Sequence, residues 1–125
     1  MDKFIGLDLL QEKQVFYSKT PFKFGDNIIG YPVNIEQLIE KIGKEIIPEK
    51  LGIYHLFYDD VLIYIGMSID LRSRLLGHYK RQDIEFNNVL WFCTEECGKT
   101  KPQTFKIEST MIKYYKPFYN KACLT

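Results

Sequence analysis

Residues 51–68 read LGIYHLFYDDVLIYIGMS, two runs of β-branched and aromatic residues joined by adjacent aspartates. Such residues favour a pleated backbone and paired aspartates favour a turn, so the stretch predicts a β-hairpin over residues 52–66 with Asp59-Asp60 at its turn. No other segment constrains the chain as much, because pairing register decides which side chains share a face. Each arm carries a triplet, Gly52-Ile53-Tyr54 and Tyr64-Ile65-Gly66. Tyr54 and Tyr64 share one face if the loop holds an odd number of residues, such as Tyr58 to Asp60, which sets them directly opposite, or if the hairpin carries a bulge. A two-residue Asp-Asp loop instead pairs Tyr54 with Ile65 and sends the tyrosines to opposite faces.

The flanking segments read as helices and one further strand. Ile35, Leu38, Ile39, Ile42 and Ile46 recur at helical spacing behind Asn34, a predicted N-cap, with Pro48 as the stop. Before them, VFYSKTPFKFGDNIIGYPV reads as short strands around Gly25-Asp26-Asn27, and the first fourteen residues read as a helix. Beyond the hairpin lie the chain's only arginines, Arg72, Arg74 and Arg81. Ser68 is the predicted N-cap of their helix, Asp70 falls in its first turn, and Leu71, Leu75 and Tyr79 form its core stripe. Arg74 and His78 stand one turn apart on an adjoining stripe. NNVLWFCT is the third strand and QTFKIESTMIKYY a closing helix stopped by Pro117.

In the closing helix, Phe105, Met111, Ile112 and Tyr115 share a face with Glu108 at about 100° per residue. A carboxylate on the apolar side is costly unless a cation, a metal or hydrogen-bond donors meet it. A structural ion pair, a rotated helix and a cleft holding metal or substrate would each do so.

The bulk numbers bound the remainder. A chain of 125 residues with 46% apolar and 26% charged residues is expected to fold as one domain. No run approaches the roughly 20 apolar residues of a membrane span, and acids in MDKFIGLDLLQEKQ oppose a signal peptide, so a cytoplasmic protein with no membrane partner is expected. Three cysteines fit free thiols in a reducing compartment; Cys93, Cys97 and Cys123 lack an evident fourth ligand for structural zinc. A net charge of +1 gives no support to generic polyanion binding. His55 reads as a strand residue, and Trp91 with the aromatic clusters as core.

Together these residues resemble the GIY-YIG nuclease family over Gly52 to Asn120. The resemblance comprises the two triplets, the run Gly66 to Leu75 with His78 behind it, Glu108, and an IKYYKPFYN ending like that of the incision domain of bacterial excision-repair nucleases. It implies an α+β fold, a small three-stranded mainly antiparallel sheet flanked by helices. Residues 51–125 would form the nuclease domain, and residues 1–50 a helical and extended N-terminal extension packed on it. The implied activity is phosphodiester hydrolysis with one Mg2+ or Mn2+ ion. Carried over by position, Tyr54 is the general base, Tyr64 a phosphate-positioning hydroxyl and Arg74 the group that stabilises charge building on phosphorus. His78 assists proton transfer, Glu108 binds the metal and Asn120 closes the motif and orders the site. Arg72, Lys80 and Arg81 are expected nucleic-acid contacts.

Tyrosine is a poor base at neutral pH, so the base role requires adjacent cations to depress its pKa. Met67 stands where repair-type members often carry lysine, removing one such aid. The extension contains no zinc finger, helix-turn-helix or basic arm, which points to a structure-directed or repair-like DNA endonuclease rather than a sequence-specific one. RNA as substrate and the oligomeric state are left open. The rival reading is a non-catalytic nucleic-acid-binding or interaction module that keeps the fold.

Overall fold

A computed structural model describes residues 21–24 and 26–123. The helix expected over the first fourteen residues lies outside them. Among the described residues, β1 (Phe22–Phe24) and β2 (Asn27–Gly30) form an antiparallel ribbon. A second sheet holds β3 (Val33–Asn34), β4 (Gly52–Tyr58), β5 (Val61–Ser68) and β6 (Asn88–Phe92) in the order β3-β6-β4-β5, with every pairing antiparallel. The helices are α1 (Ile35–Gly43), α2 (Leu71–Arg81), α3 (Lys101–Tyr115) and α4 (Phe118–Cys123). The expected three-stranded sheet is β6-β4-β5. Its fourth strand, β3, lies before residue 51 and pairs with β6.

The hairpin resolves the parity question through a bulge, the alternative to an odd-numbered loop. Its loop is the two-residue Asp59-Asp60, with Tyr58 opposite Val61, yet a register shift next to Leu56 and Phe57 brings Leu56 opposite Tyr64 and Tyr54 opposite Gly66. The extra residue is Ile63. Ile63 and Tyr64 both pack into the cluster containing Tyr54, whereas Leu62 and Ile65 pack on the other side. Such a bulge moves all later residues of one strand by one position and so exchanges their faces. The tyrosines consequently share a face, diagonally rather than directly opposed. Asp59 sits at φ 55°, and Asn87 fastens it by accepting from its backbone N–H at 2.7 Å and donating to its carboxylate at 3.0 Å.

Gly66 makes room for this arrangement. A Cβ there would overlap Tyr54 Cζ and Oη, so the Tyr54 ring lies directly across the glycine backbone. Gly52 plays the same part toward α2, because a Cβ there would overlap Leu71 Cδ1 and the Phe92 carbonyl.

The sheet thus separates two apolar layers. Tyr54, Leu56 and Val89 pack with Leu38, Ile47, Leu71 and Leu75 beneath α1 and α2. Ile53, Phe57, Leu62, Ile65, Leu90 and Phe92 pack with Phe22 and the inward side of α3.

Two helix boundaries differ from the sequence expectation. Asn34 caps α1 through a reciprocal bond with Gln37, as expected, but the helix ends at Gly43 rather than near Pro48. Ile46 N–H donates to the Lys41 carbonyl at 2.8 Å and Glu45 N–H to that of Ile42 at 3.1 Å, with Glu45 at φ 59°. This is a Schellman closure, which turns the chain before the apolar period runs out and leaves Ile46 exposed. The cap of α2 is Asp70, whose carboxylate accepts from Ser73 N–H at 3.0 Å; Ser68 instead closes a short turn with Asp70.

The close seat of Tyr54 makes Gly66 irreplaceable. Gly66→Ala is expected to lower unfolding free energy by about 1–3 kcal/mol in denaturant titration, as overpacking of a filled core does. Gly43→Ala, in open space on α1, is expected to be neutral or stabilising by up to about 1 kcal/mol.

Candidate active site

β4 delivers Tyr54 and the last turn of α2 delivers His78 to one point, where the phenol hydroxyl and His78 Nε2 lie 2.8 Å apart. Their ring centroids are separated by 5.3 Å, and Tyr64 stands 6.1 Å from Tyr54 and 5.8 Å from His78. Tyr54 has no accessible surface and His78 only 5%, so the phenol hydroxyl does not open directly to solvent. Solvent reaches Tyr64, which is half-buried, and Arg74, which is exposed.

The chain's own charges do not supply the depressed Tyr54 pKa that the base role requires. Burial raises the Tyr54 phenol above its ordinary pKa of 10.0, Tyr64 reinforces this, and Arg74 opposes it without reversing it. Burial also lowers His78 below its ordinary 6.5, only partly offset by Asp83, so the imidazole is neutral at neutral pH. Among the chain's own described groups, then, no cation primes Tyr54 as a phenolate. It is a neutral phenol hydrogen-bonded to a neutral base.

Arg74, one turn before His78, is the charge that acts on both Tyr54 and Glu108. Glu108 is half-buried on α3, and among the described residues no hydrogen bond or ion pair meets its carboxylate. Burial raises its pKa and Arg74 lowers it. The face of α3 is rotated from the expected one: Phe105 is 58% exposed, while Thr104 is buried and bonded to Thr94 at 2.6 Å. The structural ion pair open to Glu108 in sequence is absent among the described residues.

A half-buried carboxylate that meets no hydrogen bond or ion pair among the described residues suits a hard cation. Among the described residues there is no group of three or more His, Cys, Asp or Glu that could complete a protein-only cage. One carboxylate and several waters is the donor set that Mg2+, which sheds water reluctantly, commonly accepts.

Asn120 is bonded to the backbone of β5. Its amide accepts from Ile65 N–H and donates to the Ile65 carbonyl, both at 2.7 Å, closing the free edge of β5 between Tyr64 and Gly66. Arg72 departs from its expected role as a nucleic-acid contact. Its guanidinium is bound to the Ile47 carbonyl at 2.8 Å and to Glu49 at 2.7 Å, which fastens the α1–β4 connection to α2. Lys80 and Arg81 are exposed on α2 as expected, Arg81 with Asp83 at 3.9 Å. His55 is fully buried among Phe22, Phe57, Phe92 and Tyr115. Cys93 is buried, Cys97 exposed, and both are free thiols.

Asp83 is the member of this neighbourhood that sequence reasoning did not single out. Its Oδ1 lies 3.6 Å from His78 Nδ1. Only the left-handed backbone of Gln82, φ 52° and ψ 34°, returns the chain past the helix end to His78, and no periodic pattern signals that turn.

No protein-family model matches the chain. It is 30% identical over 103 residues to excinuclease Cho of Escherichia coli, an alignment covering 75% of this chain and 31% of that protein. It is 31% identical over 84 residues to UvrABC system protein C of Fusobacterium nucleatum, covering 63% of this chain and 14% of that protein. The chain thus spans under a third of the length of either relative. Among solved structures, the GIY-YIG N-terminal endonuclease domain of UvrC from Thermotoga maritima, bound to its catalytic divalent cation, magnesium, superposes with a TM-score of 0.53 at 26% identity. That match covers 67% of this chain and 96% of the other.

Both described histidines are held neutral by burial, and this gives stability a pH dependence. His55 is lowered from 6.5 to about 3, and His78 is also lowered. Below pH 6.5 the unfolded chain binds protons that the folded one refuses. Stability is therefore expected to be full above that pH and to fall by a few kcal/mol toward pH 3. Urea midpoints measured across this range should decline, and His55→Phe should remove the larger part of the decline.

Proposed function

Because the chain belongs to the GIY-YIG nuclease family, we propose that it is a metal-dependent endonuclease that hydrolyses phosphodiester bonds in DNA in a structure-directed, repair-type role. The observation that carries this reading is the Tyr54–His78 hydrogen bond, with Arg74 acting on both Tyr54 and an unpaired Glu108. A binding module needs no buried hydroxyl joined to a base, nor a carboxylate without a partner. The names of the relatives, excinuclease and UvrABC system protein, support DNA as substrate and repair as context.

Glu108 would hold one Mg2+ or Mn2+ ion through its carboxylate and bound waters, and the ion would supply Lewis-acid stabilisation of the phosphate oxygens. The rest of the chemistry belongs to the chain. Burial orders the tyrosines, with Tyr64 outer and Tyr54 inner, in place of Tyr54 meeting the water itself. The water's oxygen bonds to phosphorus as its proton passes to the Tyr64 hydroxyl, the Tyr64 proton to Tyr54, and the Tyr54 proton to His78 Nε2. The leaving oxygen departs with the electron pair of the broken P–O bond and takes a proton from solvent. No free phenolate forms, which matches the raised Tyr54 pKa. Arg74 faces the oxygens on which negative charge builds. Lys80 and Arg81 contact the backbone, and Arg72 holds the helix in place. The described part of the region before residue 51 completes the domain through β3, Leu38 and Ile47.

Nicking of supercoiled plasmid is expected with Mg2+ and not with EDTA, and Glu108→Gln should abolish it without loss of thermal stability. Activity in EDTA or in that variant would refute the metal-assisted reading. Arg74→Ala should slow single-turnover cleavage by about 10²-fold or more while changing DNA affinity little.

The proton path makes a separate prediction. Tyr54→Phe and Tyr64→Phe should each cost about 10²-fold or more, and the double variant hardly more than either, because one break disables the whole path. Multiplicative losses would show that the hydroxyls act independently.

A further inference from the structure

We propose that Asp83 is a positioning residue for His78: its carboxylate selects the Nδ1–H tautomer, leaving Nε2 as a lone-pair acceptor for the Tyr54 hydroxyl. The inference deepens the endonuclease reading and rests on it for its catalytic consequence. The geometry on which it stands is independent of that reading.

His78 Nδ1 is screened from solvent and has no hydrogen bond within 3.5 Å among the described residues, while Nε2 meets Tyr54 at 2.8 Å. The nearest acidic oxygen is Asp83 Oδ1 at 3.6 Å, just beyond hydrogen-bond length; the other carboxylate oxygen is 3.9 Å from Arg81 Nε. Two tautomers are available to a neutral ring. If Nε2 carried the proton, the Nδ1 lone pair would face a carboxylate, and two acceptors would oppose each other in a buried setting. If Nδ1 carries it, the N–H points at the carboxylate and a small rotation of an exposed side chain closes the gap, as apo catalytic contacts commonly require. The second arrangement makes Tyr54 the donor and His78 the acceptor, the direction that draws a proton inward.

The backbone provides the placement. Gln82 caps α2 in the left-handed region, its N–H bonded to the His78 carbonyl at 3.0 Å, and this returns Asp83 to the side of the ring. A left-handed non-glycine residue is costly, and here it brings an acid to a histidine five positions away. The ring is faced by Tyr54 from β4, Tyr64 from β5, Phe86 from the following segment, and the charges of Arg74, Arg81 and Asp83. Asp83 is the single negative member. It alone stabilises the imidazolium that forms when the proton arrives.

The test has two readouts on the full chain. Nitrogen NMR of His78, without DNA or metal, is expected to show the Nδ1–H tautomer in the native chain and in Asp83→Glu, and a shift toward Nε2–H in Asp83→Ala. The Asp83 side chain is 53% exposed, so these substitutions leave the core intact. In single-turnover nicking, Asp83→Ala should lower the plateau rate by about tenfold or more at unchanged DNA affinity. Loss of the carboxylate destabilises imidazolium, so the acid limb of the pH–rate profile should move to lower pH, and Asp83→Glu should restore both. An Nε2–H tautomer in the native chain, or a tautomer and acid limb indifferent to Asp83→Ala, overturns the assignment. A native chain with the expected tautomer response and no nicking would overturn the endonuclease reading and leave the positioning role of Asp83 intact.

Discussion

The contact between the Tyr54 ring and the backbone of Gly66 is the constraint on which the rest of the site depends. It forms only because the extra residue at Ile63 places Gly66, rather than Ile65, opposite Tyr54. The same shift brings Tyr64 onto that face. With the ring laid across β5, its hydroxyl is directed to the end of α2, and the fit of Leu71 against Gly52 sets that helix where His78 can receive it. Asn120 fastens the far edge of the same strand through Ile65. Two glycines and one bulge thus locate a hydroxyl to within hydrogen-bond distance of a base.

Burial, not charge, dominates this cluster. A phenol near a guanidinium suggests an activated phenolate, but desolvation outweighs Arg74 at Tyr54 and outweighs Asp83 at His78. Both groups are consequently neutral at rest, and in the proposed proton path charge forms between them only as a proton moves. That economy suits catalysis, since groups charged in the ground state would already be solvated by one another. Glu108 is the counterpart on α3, a carboxylate whose burial is matched by no partner within the described residues.

Much of this was legible in the chain. β-Branched arms around Asp59-Asp60 indicated the hairpin, Asn34 the start of α1, and the clash of Glu108 with its apolar neighbours marked a residue needing explanation. The parity argument posed the right question about Tyr54 and Tyr64, but a bulge leaves no trace in composition, so the answer came from packing on both sides of β5. The length of α1 was misjudged because Ile46 continues the helical period in sequence while a left-handed Glu45 ends it in space. Phe105 was placed on the core face because apolar character alone was weighed, whereas the Thr94–Thr104 hydroxyl pair turns Thr104 inward. Arg72 and Asp83 were opaque for a common reason. Their roles are set by non-periodic turns, at residues 45–49 and at Gln82, that bring distant partners to them.

The proposed chemistry requires one divalent ion at Glu108, beside the Arg74, Tyr54 and His78 cluster. Titrating the isotopically labelled chain with Mn2+ and following paramagnetic broadening tests it without reference to turnover. Resonances of Glu108, Arg74 and Tyr64 are expected to broaden first, and Glu108→Gln to abolish this selective effect. Broadening that begins at the Asp59-Asp60 turn, or that is unchanged in Glu108→Gln, would contradict it.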